Sequence, residues 1–152
     1  MRGIEKEIQQ KRPFRNEQER AMVNLLYTSN WLNDQLKSYF KPFGITPTQY
    51  NILRILNGAE KAMTTNEIRK RMIHKMSDIT RLIDRLIKKE FVHKKVHGAD
   101  KRLVDIVITE RGKELLNNIG SNHLPLGHFM KAISEEESLL LNQTLDKLRE
   151  KF

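Results

Sequence analysis

Within residues 76–109 the apolar period of this chain changes from helical to extended without a break, and that change restricts the fold more than any other feature. In "MSDITRLIDRLIKKEF" the residues Met76, Ile79, Leu82, Ile83, Leu86 and Ile87 recur every three or four positions, the spacing of one apolar helix face. Immediately afterwards come Phe91, Val92 and Val96, then Leu103, Val104, Ile106, Val107 and Ile108, rich in β-branched residues and alternating as two strands do. Gly98, Ala99, Asp100 and Lys101 between them have turn chemistry. A helix running into a hairpin is therefore the centre around which the rest must be arranged.

Upstream, residues 1–16 have no apolar periodicity and read as a flexible, frayed, basic leader. From Glu17 to Phe40 apolar residues fall on one helix face at Met22, Leu25, Leu26, Leu32, Leu36 and Tyr39, and Pro42 and Gly44 end the pattern. In "ITPTQYNILRILNG" Thr46 can cap a second helix, Pro47 suits a first turn whose N–H would be unpaired anyway, and Gln49 can close a capping box before Gly58 stops the helix. Thr64 and Glu67 repeat that signature for a short helix reaching about Met72. Downstream, Thr109 caps a helix from about Glu110 that is interrupted around "SNHLPLG". Ser134 and Glu137 then open a last helix with Leu140, Leu141, Leu145 and Leu148 on one face. Two helices, a turn, a third helix and a hairpin make a winged helix-turn-helix. The expected class is mainly α with a small β-hairpin. One domain covers 17–152, its winged lobe at 41–109 set between flanking helices at 17–40 and 110–152.

Charge adds a function class. The net charge is +9, but residues 41–112 carry 16 Lys and Arg against 8 Asp and Glu, whereas 1–40 carry 7 against 5 and 113–152 carry 5 against 6. A basic block inside a folded segment suits a nucleic-acid surface, with a solvated face as the plain alternative. There is no cysteine, which removes disulfides and thiolate chemistry. No apolar run spans a bilayer and the first twenty residues lack a signal-peptide core, so the chain reads as cytoplasmic, without a membrane partner. No phosphate loop, nucleophile elbow or histidine pair at metal spacing points to an enzyme, a cofactor or a metal. His93 and His97 would lie roughly 13 Å apart on a strand, His123 and His128 are separated by Pro125, and His74 reads as structural or phosphate-facing.

Three motifs, "ITPTQYNILRIL", "MSDITRLIDRLIKKEFV" and "DKRLVDIVITERGKELL", stand in the order and spacing of the MarR family of bacterial transcriptional regulators, which the chain resembles from about Glu17 onward. The third is the most specific, joining an Asp-x-Arg wing tip to a strand and a Thr-Glu-x-Gly helix start. The resemblance implies a homodimer built by the helices at 17–40 and 110–152, binding double-stranded DNA at a palindromic operator. It implies that the helix from about Ser77 enters the major groove, that Arg102 on the wing reaches the minor groove, and that Asp100 holds Arg102. The chain departs from the family in having Glu90 where glycine is usual, Lys75 where an Asp is common at the recognition-helix start, and Lys94 and Lys95 where arginines are common. A lysine supplies charge without the forked donor geometry.

For base reading, Arg81 is the first choice, because a guanidinium can bond guanine O6 and N7 together, a discrimination of about 1 to 3 kcal/mol. Ser77, Asp78 and Thr80 lie beside it, with capping or local backbone bonding the competing role for Ser77 and Asp78. Lys75, Arg85, Lys88, Lys94 and Lys95 are candidates for phosphate, Arg85 having a pair with Asp84 as its alternative, while Lys101 joins Asp100 and Arg102 on the wing. The family resemblance also implies a small aromatic or anionic effector held between the flanking helices and the lobe, with Tyr27, Trp31, Tyr39 and Tyr50 as candidate lining. Aromatic residues at helical spacing more often belong to a core. The functional expectation is a homodimeric regulator, a repressor relieved by an effector. The alternative is a winged-helix module that binds another protein.

Overall fold

Reciprocal side-chain caps decide where the helices of this chain start. The computed structural model describes residues 3–74, 78–96, 104–121 and 125–150. Helix α1 is Ile4–Glu7, and α2 is Glu17–Phe40, capped by the Asn16 side chain on the Glu19 N–H and followed by a 3-10 turn, Lys41–Phe43. Gly44, at φ 68°, turns the chain out of that element, a left-handed conformation that costs glycine little. Helix α3, Pro47–Asn57, begins with the complete Thr46–Gln49 box, and α4, Thr65–Arg71, with the complete Thr64–Glu67 box. The Thr64 N–H and hydroxyl, which both donate to the Glu67 carboxylate, hold that carboxyl below the usual range. Helix α5 is Ile79–Lys88, α6 is Glu110–Ser121 with its Gly112 N–H bonded to Thr109 Oγ1 at 3.1 Å, α7 is Pro125–Met130, and α8 is Glu135–Glu150 behind a Ser134–Glu137 box.

The expected hairpin is part of a three-stranded antiparallel sheet. Strands β2 (Val92–Val96) and β3 (Val104–Ile108) pair with Val92 opposite Ile108 and Val96 opposite Val104, and β1 (Met63–Thr64) lies on the other side of β3. Two residues are too few to show a strand period, and Thr64 also serves as a helix cap, so β1 was hidden in the sequence. Nor is the leader featureless: Ile4 is buried, and Glu5 meets Arg20 at 2.7 Å. A single apolar residue has no periodicity to display; its burial comes from the tertiary contact with α2.

The core sits in the winged lobe. Ile52 and Leu53 of α3, Ile68 of α4, Ile79, Ile83 and Leu86 of α5, Val92 and Ile106 of the sheet and Ile119 of α6 are fully or almost fully buried. Three of the six apolar positions expected on α5 thus face the core squarely, Leu82 and Ile87 pack partly against it, and Met76 lies outside the described residues. The flanking helices behave differently. Helix α2 buries only Phe40, and α8 buries no residue.

Candidate nucleic-acid interface

Burial of Ile79, Ile83 and Leu86 turns the opposite side of α5 to solvent, where Asp78, Thr80, Arg81, Arg85 and Lys88 are all exposed. Arg81, Arg85 and Lys88 follow at intervals of four and three, so they form one cationic line along the helix. Asp78 occupies the N-cap position but makes no side-chain cap bond there. Its carboxylate accepts from the Arg81 guanidinium at 3.1 Å, with the side chains 56% and 78% exposed. The capping role open to Asp78 in the sequence is thus replaced by a pair with the residue best suited to read bases. Lys75 and Ser77 lie outside the described residues.

The turn leading into α5 is anchored from behind. The Ile73 N–H donates to Asn51 Oδ1 of α3 at 3.1 Å, Met72 is buried, and Ile73 itself is 77% exposed. Lys70 and Arg71, exposed in the last turn of α4, add two cations beside that turn. They were passed over as site residues, although the run "RKR" at 69–71 was visible as charge.

On the hairpin, Lys94 and Lys95 are exposed, and Lys94 Nζ lies 3.1 Å from Asp84 of α5. Asp84 therefore pairs with the wing strand, not with Arg85. Asp100, Lys101 and Arg102 lie outside the described residues.

The base of the wing is closely built. After Lys88 the chain turns through Glu90 at φ 61°, and the Glu90 N–H bonds Ile87 O at 2.8 Å while the Phe91 N–H bonds Leu86 O at 3.0 Å. That is a Schellman ending with glutamate where glycine is favoured. The Glu90 carbonyl accepts from Thr109 Oγ1 at 2.7 Å, its carboxylate pairs with Arg111, and the Arg111 guanidinium lies 5.7 Å from the Phe91 ring centre. A left-handed non-glycine residue costs roughly 1–2 kcal/mol, against a more flexible unfolded glycine at about 0.4–1 kcal/mol and an exposed ion pair at about 0.2–1 kcal/mol. The terms nearly cancel, so Glu90→Gly is expected to shift the thermal midpoint by no more than about 1 °C, upward at the central values. A fall in the midpoint would show that the Arg111 pair outweighs the strain.

The four candidate effector aromatics do not converge. Tyr39 stacks against Phe40 and Phe43, and Tyr50 lies 4.5 Å from Phe40, so these two belong to the edge of the core. Burial raises the Tyr50 hydroxyl above its usual range. Tyr27 meets Glu7 at 3.4 Å, and Trp31 meets Phe129 edge-on at 6.0 Å. A crevice of about 590 Å³ opens instead between the end of α2, the start of α3 and the last turn of α5, and none of the four lines it. Among the described residues, no group of three or more metal-ligating side chains gathers, and no helix is long and apolar enough to cross a membrane.

Residues 35–119, from the end of α2 through α6, match the family model described as "Transcriptional regulator SarA/Rot". The chain belongs to that family. A curated relative, the HTH-type transcriptional repressor YetL of Bacillus subtilis, is 28% identical over 132 residues, which is 86% of this chain and 79% of the relative. Among solved structures, AbsC, a MarR family transcriptional regulator from Streptomyces coelicolor, superposes with a TM-score of 0.80 at 24% identity, covering 92% of this chain and 97% of that one. The S. aureus MepR–DNA complex gives 0.76 at 21% identity, covering 86% and 97%. The fold of this SarA/Rot protein is accordingly the MarR-type winged helix, and it is a DNA-binding transcriptional regulator, not an enzyme.

Proposed function

We propose that this SarA/Rot-family protein is a homodimeric repressor that acts in the cytoplasm, placing α5 in the major groove of a palindromic operator and the β2–β3 wing beside it. The observation that carries the DNA contact is the cationic line on α5, whose reverse face is locked into the core by Ile79, Ile83 and Leu86. In this reading Arg81 reads guanine, with Ser77, Asp78 and Thr80 beside it. Arg102, positioned by Asp100 and accompanied by Lys101, enters the minor groove, and Lys75, Arg85, Lys88, Lys94 and Lys95, joined by Lys70 and Arg71, meet phosphates. The MepR complex with DNA and the repressor name of YetL support operator binding and the sign of regulation.

Dimerisation rests on a separate observation. Helix α8 has 16 residues, buries none of them, and exposes Leu139, Leu140, Leu141 and Leu148. An isolated helix of that length is marginal in water, and an exposed leucine surface of that kind marks an interface. The helices at 17–40 and 110–152 therefore serve as the dimer scaffold. Relief by a small effector completes the reading, but it does not rest on the four dispersed aromatics.

Selection of bound genomic fragments at physiological salt tests the proposal. The expected product is a palindrome with half-sites about one helical turn apart. Arg81→Ala should then lose about 1–3 kcal/mol of affinity and relax preference at one base pair, and Arg102→Ala should weaken binding sharply while the dimer stays folded. Equal affinity for unrelated duplexes would overturn sequence-specific reading.

A further inference from the structure

The crevice beside the last turn of α5 is lined by cations from two helices and by no acidic residue. Lys37 and Lys41 reach it from the end of α2, and Arg85, Lys88 and Lys89 from α5. Elsewhere several cations have a carboxylate partner, Arg20 with Glu5 and Glu17, Arg81 with Asp78, Lys94 with Asp84, Lys113 with Glu110, and Arg149 with Asp146, and exposed cations such as Lys61, Lys95 and Lys131 stand outside the crevice. Within the crevice Lys37 has Asp34 at 2.8 Å and Lys89 donates to the Gly44 carbonyl oxygen, whereas Lys41, Arg85 and Lys88 are exposed and form no ion pair among the described residues. The floor is supplied by Ile45, Pro47 and the buried Gln49. A neighbouring hollow shares Gly44, Lys88 and Lys89 and ends at Glu90 and Arg111, so the carboxylate of Glu90 bounds the positive region.

We propose that this crevice binds a small anion carrying two or more phosphoryl groups. Its volume of about 590 Å³ falls in the range of small-molecule sites. Of the five cations that line it, Lys41, Arg85 and Lys88 have no ion pair among the described residues, and a bound polyanion supplies the opposite charge that the lining lacks. Charge number decides the class. Each solvent-exposed ion pair contributes only a fraction of a kcal/mol up to about 1 kcal/mol, so a single carboxylate gathers too little, whereas linked phosphoryl groups engage several cations in one binding event. A DNA backbone is the less suitable occupant of the recess itself, because duplex phosphates lie on a convex rod and meet Arg85 and Lys88 on the outer face of α5, whereas Lys37 and Lys41 come from the end of α2 on the other side of the crevice. Lys88 is seven residues beyond Arg81, about 10 Å farther along the helix axis. The crevice is thus a second anion site at the other end of the same helix.

The probe is tripolyphosphate, titrated calorimetrically into the full-length protein at fixed ionic strength, with inorganic phosphate as comparison. One tripolyphosphate should bind per chain, at least tenfold more tightly than phosphate. Lys37→Gln/Lys41→Gln, which leaves the α5 line intact, should weaken it at least tenfold with an unchanged thermal midpoint, whereas the charge-matched Lys61→Gln/Lys131→Gln, outside the crevice, should not. Several weak equivalents per chain, or equal losses in the two variants, would reduce the site to general electrostatics and overturn the proposal. So would a crevice variant that keeps its tripolyphosphate affinity but loses affinity for the selected operator, since the cations would then be DNA contacts.

Discussion

Gly112→Ala should lower the stability of this protein by about 2 kcal/mol, even though alanine is the better helix former by about 1 kcal/mol. Gly112 is buried in the first turn of α6, where an added Cβ would fall inside contact distance of the Phe91 carbonyl oxygen and 2.8 Å from Ile108 Cγ1. The first obstacle is backbone, and it is already engaged: the Phe91 carbonyl accepts the Thr109 N–H at 3.0 Å. Making room therefore costs overpacking of about 1–3 kcal/mol and a hydrogen bond worth about 1 kcal/mol, which together exceed the gain in helix propensity. The thermal midpoint should fall by roughly 4–8 °C, and operator affinity should fall with it because the displaced segment leads directly into β2. Scanning calorimetry checks the first effect. A midpoint equal to or above the parent's would show that Phe91 yields without cost.

Leu26→Lys combined with Leu140→Lys is expected to convert the proposed dimer to monomer. Leu26 is 60% exposed on α2 and Leu140 65% exposed on α8 in the single chain, so neither change damages the core of the winged lobe. Burying a leucine side chain contributes about 1.5–3 kcal/mol, and a lysine introduced instead must be desolvated beside an apolar partner surface. Removing two such contacts from each subunit should weaken association at least a hundredfold, about 2.7 kcal/mol. Sedimentation should show the monomer, and far-UV dichroism a loss of helix as α8 loses its cover, while the core of the lobe persists. A variant that still sediments as dimer would move the interface away from these two helices.

The parts of the fold that were legible in the sequence are those encoded locally. The Thr46–Gln49, Thr64–Glu67 and Ser134–Glu137 caps each lie within four residues, and the α5 stripe declares its buried face by spacing alone. Glu90 stood out only through the family resemblance, which puts glycine there; its left-handed φ and the Schellman bonds to Ile87 and Leu86 emerge from the structure. What the sequence concealed depends on partners far along the chain. Burial of Ile4 needs α2, β1 exists only because Met63 and Thr64 meet Ile106 and Asp105, and Asp84 finds Lys94 ten residues away in preference to the adjacent Arg85. At the site, the exposure of Thr80, Arg81, Arg85 and Lys88 followed from periodicity, but the pairing of Asp78 with Arg81 did not, since capping and ion pairing demand the same residue type. The crevice was hidden for a related reason: its cations come from α2 and α5, which no local pattern places side by side.

The pairs Asp78–Arg81 and Lys94–Asp84 mean that this protein carries part of its own counterion atmosphere. A nucleic-acid phosphate competes with a resident carboxylate before it gains either cation. Asp78 meets Arg81 through one guanidinium nitrogen at 3.1 Å, whereas a guanine edge offers two acceptors side by side, so the resident pair opposes a single phosphate contact more effectively than a two-point contact with a base. Salt loosens the resident pairs as well as the DNA contacts, which makes affinity fall less steeply with salt than a count of interfacial cations implies. If Arg81 reads bases as proposed, selectivity begins in the unbound protein, with Asp78 keeping that arginine occupied until a better acceptor arrives.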